Sequence, residues 1–248
     1  MIDQALLQSL LPGSQLRIFD ETLSTNRDAR DLLMNGAQHG DLVIASRQTG
    51  GRGRLGRSFS SPEGGLYMSL ILKTNLAPGA VTTLCAVAVR RAILHLTGME
   101  TDIKWVNDLL LDGKKVCGIL CENVWSGAES LGMIAGIGVN VYGNHFPEEL
   151  QSLARSLYSK QSQPPVSLEK LAAAIHREIL QGLSIAPAHM DEYRQHCITL
   201  HKKVCWQENG ETCLGEALTT DDEGGLIVRD DQGQMRTIAF GEVRIRPI

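Results

Sequence analysis

The chain has 248 residues, 43% hydrophobic and 21% charged, with a net charge of −4. That size suits one large domain or a domain with a small satellite, and the composition excludes disordered and fibrous classes. The acidic balance argues against a general nucleic-acid-coating role. No run approaches the roughly 18 apolar residues of a membrane span. The start, MIDQALLQSLLPGS, lacks the basic stretch and cleavage site of a signal peptide. A cytoplasmic protein without a membrane partner is the resulting expectation. Its six cysteines (Cys85, Cys117, Cys121, Cys197, Cys205, Cys213) are then expected to be reduced thiols. The last three fall eight apart near His196 and His201, but no Cys-x-x-Cys pair accompanies them, so packing is favoured over zinc.

In chain order, Leu16–Phe19 reads as a short strand. A helix is expected from Ser24-Thr25-Asn26, with Thr25 as N-cap and Asp28 three residues on, ending at Asn35-Gly36. Leu42–Ser46 reads as a buried strand, followed by a glycine-arginine loop, and Leu66–Leu72 as another strand. Ala80–Leu96 has helical apolar spacing and no breaker. Ile103–Leu111, the turn Asp112-Gly113 and Lys114–Asn123 form an expected β-hairpin, Asp-Gly suiting a type I′ turn. Leu131–Val141 is a further strand. Ser167–Leu183 is a helix capped by Ser167, just after Pro164-Pro165, and Pro187–Cys197 a last short helix. From about residue 200 the texture changes to short alternating runs: Lys203–Gln207, Cys213–Thr219, Gly225–Arg229 and Met235–Phe240. The turns Asn209-Gly210, Asp222–Gly224 and Asp231–Gly233 split them, which predicts a small antiparallel barrel. The fold class is therefore α+β: a mixed β-sheet with flanking helices, then a small all-β module.

The stretch from Gln48 to Arg57 puts four glycines and three arginines into ten residues. Glycines let backbone N–H groups approach an anion closely, and arginine offers a permanently charged planar fork. The segment is neither a Walker A loop nor a dinucleotide fingerprint. A solvated basic turn is the plainer reading. Ordering ten residues costs about 1–2 kcal/mol each, and three charge-assisted hydrogen bonds return roughly 1.5–3 kcal/mol each. The loop is thus expected to be mobile alone and ordered by an anionic ligand. Lys104, in a strand of Ile, Trp, Val and Leu, either meets a bound anion or reaches solvent from a sheet edge. Asn107 and Asp108 either join it or end regular pairing. Gly136, Gly138 and Asn140 share one strand face, which admits a flat group or packs closely against a helix. Ser24-Thr25-Asn26 either bind a ligand or cap a helix. No nucleophile elbow and no HExxH motif occurs.

The order of these segments is more specific than any one of them. Ser24-Thr25-Asn26, Gln-x-x-Gly-Arg-Gly-Arg-x-Gly-Arg from Gln48, Lys104-Trp105-Val106-Asn107-Asp108-Leu109, Gly118-Ile119-Leu120 and Gly136-Ile137-Gly138-Val139-Asn140 resemble the biotin–protein ligases over residues 16–142. The final β module agrees with that family's usual ending. The resemblance implies a catalytic biotin/ATP-binding domain over 1–199 and an SH3-like β-barrel over 200–248. It implies an AMP-forming ligase that activates biotin with ATP and Mg²⁺ to biotinyl-5′-adenylate. Biotin then passes to one lysine of a biotin carboxyl carrier protein.

By motif position, Ser24, Thr25, Asn26, Gln48 and Gly50 would bind biotin, with Gly118 behind it. Arg52, Gly53 and Arg54 would cover its carboxylate and the phosphate, and Arg57 and Asn107 would lie on the nucleotide side. Lys104 would contact biotin's reacting end and the α-phosphate, making Lys104 and Arg54 the catalytic pair. Asn140 would lie near the adenine. No metal ligand is assigned, Mg²⁺ being held mainly by the phosphates. Leu55 stands where many members carry a second arginine, Phe59 where tryptophan is common, and Val106 where proline is common. The 23 residues before Ser24 are too few for a winged helix, so neither operator binding nor another nucleic-acid partner is expected. A monomer and a homodimer both remain open. A lipoate–protein ligase shares the fold and reaction type, and an RNA-binding loop is a third reading, disfavoured by the charge and the lack of aromatic interleaving.

Overall fold

The computed structural model describes residues 2–143, 146–159, 166–208, 210–239, 241 and 243–245. Pro164-Pro165, Asn209 and Phe240, each part of an expected element boundary, lie outside the described residues.

Seven strands form the main sheet: β1 (Leu16–Thr22), β2 (Leu42–Gln48), β3 (Gly65–Leu72), β4 (Asp102–Lys104), β5 (Asp108–Leu111), β6 (Lys114–Ser126) and β7 (Glu129–Asn140). Their order is β1-β2-β3-β7-β6-β5-β4. β1 and β2 run parallel and the other neighbours antiparallel. Strand alternation lets β7 serve a core and a site at once. Met133, Ala135, Ile137 and Val139 enter the main core, beneath α3 (Pro78–Thr97) and α4 (Leu168–Ile185). On the opposite face Ile134 packs in a small second core with Ala29 and Leu33 of α2 (Thr25–Met34). The next residues on that face are Gly136 and Gly138. Side chains stop there, and the layer between sheet and helix opens into a hollow.

The structure amends the sequence reading in four places. Ile103–Leu111 is not one strand. It is a tight hairpin in which Lys104 pairs with Asp108, and residues 105–107 turn between β4 and β5. Long-range contacts hold that turn: Trp105 N donates to Thr199 Oγ1 at 3.0 Å and the Tyr193 hydroxyl to Val106 O at 3.1 Å. Ser24, not Thr25, is the N-cap of α2: its backbone is extended (φ −163°, ψ 126°) while its carbonyl accepts from Asp28 N at 3.1 Å. An unanticipated helix, α1 (Gln4–Leu10), is capped by Asp3, whose carboxylate accepts from Leu6 N at 3.0 Å. Seven residues are too few for a periodic signal to stand out. Finally, α3 is long and apolar enough to cross a bilayer by length and composition, contrary to the sequence reading. Arg90 and Arg91 interrupt its apolar run and hid this. In the fold, 72% of that window is buried in the core.

The hairpin turn agrees with expectation, Asp112 and Gly113 both having positive φ (50° and 74°). So does Ser167, whose side chain accepts from Lys170 N ahead of α4. A last short helix, α5 (Met190–His196), follows. The second sheet contains β8 (Lys203–Glu208), β9 (Glu211–Thr220), β10 (Leu226–Asp230), β11 (Met235–Ile238) and a fifth strand not anticipated, β12 (Val243–Ile245). Its order is β11-β10-β9-β8-β12. It meets the first body where Trp105 Nε1 donates to Gly224 O at 2.9 Å and Arg194 Nε to Thr220 O at 3.0 Å. The six cysteines are free thiols.

His189 sits buried at this junction, with Nε2 2.9 Å from Thr83 Oγ1. Burial, with Arg91 second, lowers its pKa to about 4, Arg194 acting the same way and Asp222 against them. The unfolded chain takes up this proton near pH 6.5. The stability from keeping the ring neutral is therefore complete above pH 6.5 and is lost as pH falls toward 4. About 3 kcal/mol should disappear across that window. In thermal melts against pH, His189→Gln is expected to flatten this decline; an unchanged slope assigns it elsewhere.

Candidate active site

The hollow lies where β6, β7 and the first turn of α2 meet the glycine-arginine loop, and it encloses about 220 Å³. Gly118 on β6 stands opposite Gly138 on β7. A Cβ on Gly138 would sit 2.5 Å from Phe59 Cε1, and one on Gly118 would sit 2.9 Å from Phe59 Cε2. The Phe59 ring thus lies on bare backbone, an approach that side chains at these positions would block. The flat group expected on this face is here supplied by the loop itself. Gly136 admits Asn26 in the same way, since an added Cβ would collide with the Asn26 amide.

The loop closes on itself. Gly53 N donates to Arg57 O at 2.8 Å and Phe59 N to Gly51 O at 2.9 Å, with Arg54–Gly56 forming a 3₁₀ turn between. Leu55 has φ 56° and is exposed, so the missing second arginine leaves a solvent-facing side chain. A chain of hydrogen bonds ties this loop to α2. Gln48 Oε1 accepts from Thr25 N at 2.8 Å and from the Thr25 hydroxyl at 3.1 Å. Gln48 Nε2 donates to Ser61 Oγ at 2.9 Å, and the Ser61 hydroxyl to Phe59 O at 3.0 Å. In the other direction Ser69 Oγ lies 2.8 Å from Thr25 Oγ1 and 2.6 Å from Asn26 Oδ1. Ser24, Thr25 and Asn26 are all buried. Ser24 makes no side-chain capping bond, and the N-terminus of α2 adds its positive dipole end to the site.

Arg52, Arg54, Arg57, Lys104 and Lys115 line the hollow, with Asp108 the one carboxylate among its described lining residues. Gathering cations this way in a chain of net charge −4 is unfavourable unless an anion joins them. Arg54 is the best anchored. Its Nη1 donates to Asn107 Oδ1 at 3.2 Å, its Nη2 to Gly241 O at 3.0 Å, and its guanidinium carbon stands 6.0 Å from the Trp105 ring centre. Lys115 Nζ lies 2.7 Å from Asp108 Oδ1 and 5.5 Å above the Phe59 ring. Lys104 extends from β4, the edge strand, and lines the hollow.

Of the residues assigned by resemblance, Ser24, Thr25, Asn26, Gln48, Arg52, Gly53, Arg54, Arg57, Lys104, Asn107 and Gly118 come together here. Gly50 and Asn140 do not. Gly50 N is spent on Leu23 O at 2.8 Å, and the Leu23 side chain covers its α-carbon. Asn140 faces a separate shallow hollow beside Tyr67 and Tyr142. Sequence reasoning missed Lys115, Ser69, Glu122 and the contribution of Gly241 and Val243 from the C-terminal module. A β-bulge between β5 and β6, where Leu109 pairs with Cys117 but Leu110 with Lys115, alters the pairing that simple alternation assumes.

Hydroxyls and amides at a helix start and a roof of arginines beside two lysines make a pocket suited to a ligand with an anionic end. The model of the Biotin/lipoate A/B protein ligase family matches residues 18–140. The bifunctional ligase/repressor BirA of Bacillus subtilis is 37% identical over 248 aligned positions, covering 92% of this chain and 73% of that protein. The biotin–[acetyl-CoA-carboxylase] ligase of Paracoccus denitrificans is 38% identical, covering 86% and 93%. The structure of the Aquifex aeolicus biotin protein ligase in complex with biotin and ATP has a TM-score of 0.80 at 25% identity, covering 94% of this chain and 98% of that one. The chain belongs to the biotin/lipoate protein ligase family. Its mixed sheet with flanking helices and its C-terminal antiparallel sheet are the fold of that family.

Proposed function

We propose that this protein is an ATP-dependent biotin–protein ligase. It condenses biotin with ATP to biotinyl-5′-adenylate and passes the biotin to a lysine of a biotin carboxyl carrier protein. One observation carries the reading: the arginines of residues 52–57 and Lys104, remote in sequence, line one hollow over a glycine floor. In the first step a biotin carboxylate oxygen attacks the α-phosphorus and pyrophosphate leaves. Two anions must be brought together and the charge growing on phosphorus neutralised, the task for which Arg52, Arg54, Lys104 and Lys115 are arranged. Ser24, Thr25, Asn26 and Gln48 supply polar groups for biotin's head. In the second step the carrier's neutral amine attacks the acyl carbon and AMP leaves. Among the described residues no three His, Cys, Asp or Glu side chains converge as a metal cage, and Asp108 is paired with Lys115. The reading has Mg²⁺ held mainly by the nucleotide phosphates.

The test is pyrophosphate release from purified protein with biotin, ATP and Mg²⁺, followed by labelling of a carrier with biotin or with lipoate. Lipoate labelling in place of biotin would move the assignment to the sister activity. The arginines of the loop line the hollow beside Lys104 and Lys115, which supports the small-ligand reading over an RNA-binding one. The acidic total charge supports no role in operator binding. A gel shift with biotin, ATP and upstream DNA showing specific retention would overturn this.

The enclosed 220 Å³ is below the roughly 300–1,000 Å³ of usual ligand sites, so vitamin and nucleotide together require the roof to move. Amide exchange over residues 50–57 is expected to slow about tenfold once biotin and ATP bind. Equal, strong protection in both states refutes a moving loop.

A further inference from the structure

Glu122 on β6 lies beside the hollow and touches two of its walls. Its Oε2 accepts from Asn26 Nδ2 at 2.9 Å. Its Oε1 lies 3.7 Å from Arg52 Nη2 and 4.0 Å from Arg30 Nη2. The hydrogen-bond chain described above runs from Asn26 to Phe59 O, at the trailing end of the loop. Arg52 stands at the leading end. The Glu122–Arg52 pair therefore closes the chain into a ring that holds the loop at both ends.

We propose that Glu122 is a positioning residue that latches the arginine roof over the bound adenylate. It acts through Arg52, while fixing the biotin-side wall through Asn26. A carboxylate suits both tasks, since one oxygen accepts the neutral amide bond and the other attracts the guanidiniums. Arg52 has five N–H donors, so one edge can face Glu122 while the rest line the hollow. At 3.7 Å the contact is an ion pair rather than a hydrogen bond, with Arg52 half-exposed. Such pairs are weak and screened by salt, which suits a latch that must open for the carrier's lysine. Arg30, one turn after Asn26 on α2, keeps the carboxylate partly neutralised when Arg52 lets go.

The inference rests on the ligase reading, and the test separates the two. E122Q keeps the shape and an acceptor for Asn26 but removes the charge. At about 50 mM salt it is expected to release preformed adenylate about fivefold faster than the parent. Exchange over residues 50–57 in the ligand-free protein should quicken similarly, with the KM for biotin within about twofold. E122D, which keeps the charge, should fall between. Raising salt to about 1 M should bring the parent's release rate up to that of E122Q. Parent-like release and exchange in E122Q overturn the latch. So does a raised biotin KM with unchanged release, which would leave Glu122 as a partner of Asn26 alone. Should E122Q not fold, the salt series on the parent decides: a flat release rate overturns the latch. If the parent forms no adenylate, the ligase reading falls, and the exchange comparison still decides the latch.

Discussion

Lys104→Ala is expected to slow biotin-dependent pyrophosphate release by about 10²–10³-fold without unfolding the protein. The fold should survive because β4 is held through its backbone: Asp102 pairs with Leu110, Ile103 with Leu109 and Lys104 with Asp108. Ile103 carries the strand's core contact, being fully buried, while Lys104 is half-buried at the rim of the hollow. On the proposed reading, the substitution removes an ammonium lining the hollow where charge would grow on the α-phosphate. Such a group acts on the transition state more than on bound biotin. The fall should therefore appear in kcat, with the biotin KM changing far less. A rapid-mixing measurement of pyrophosphate with a parallel thermal melt checks it. Near-normal turnover would remove Lys104 from the mechanism.

Arg54→Gly should act differently: adenylate forms but is not kept. Arg54 bridges three parts of the molecule, donating to Asn107 after β4 and to Gly241 ahead of β12 while lying over Trp105. Its loss removes the bonds to Asn107 and Gly241 and, on the proposed reading, a cation from the phosphate. Charge-assisted bonds contribute about 1.5–3 kcal/mol each. A net loss of about 2–3 kcal/mol corresponds to adenylate escaping about 30–150-fold faster. Filter retention of labelled adenylate, chased with unlabelled biotin, reads this directly. Unchanged retention would count against the role assigned to Arg54. The two variants thus separate chemistry from containment. A roof that closes over a reactive mixed anhydride protects it from water as well as holding it.

Containment also explains an economy in the fold. Gly241, a bend residue ahead of β12, accepts the Arg54 bond, and Val243 of β12 joins the lining, so the roof is tied to the C-terminal module as well as to the main sheet. The junction that sets their relation includes Trp105 bonded to Gly224 and the buried, neutral His189. Acidification that charges His189 would strain the same junction, which links the pH dependence of stability to the site.

What the sequence determined by itself was local or ordinal. Apolar alternation and turn chemistry located the strands of the main sheet, and Asp112-Gly113 adopts the backbone its residue types demand. The order of the Ser-Thr-Asn, glycine-arginine and Lys-Trp segments identified the residues that converge. These signals are legible because they depend on neighbours along the chain. Tertiary structure decided the rest. It set Phe59 on the Gly118–Gly138 pair, joined Glu122 to Arg52, brought Gly241 to Arg54, and placed Asn140 outside the hollow beside Tyr67 and Tyr142. It also folded residues 102–111 into a hairpin rather than one strand. Each of these depends on register, on a β-bulge or on one sheet docking against another. Such contacts join residues far apart in sequence, and the period of a single strand carries no information about its partner's position.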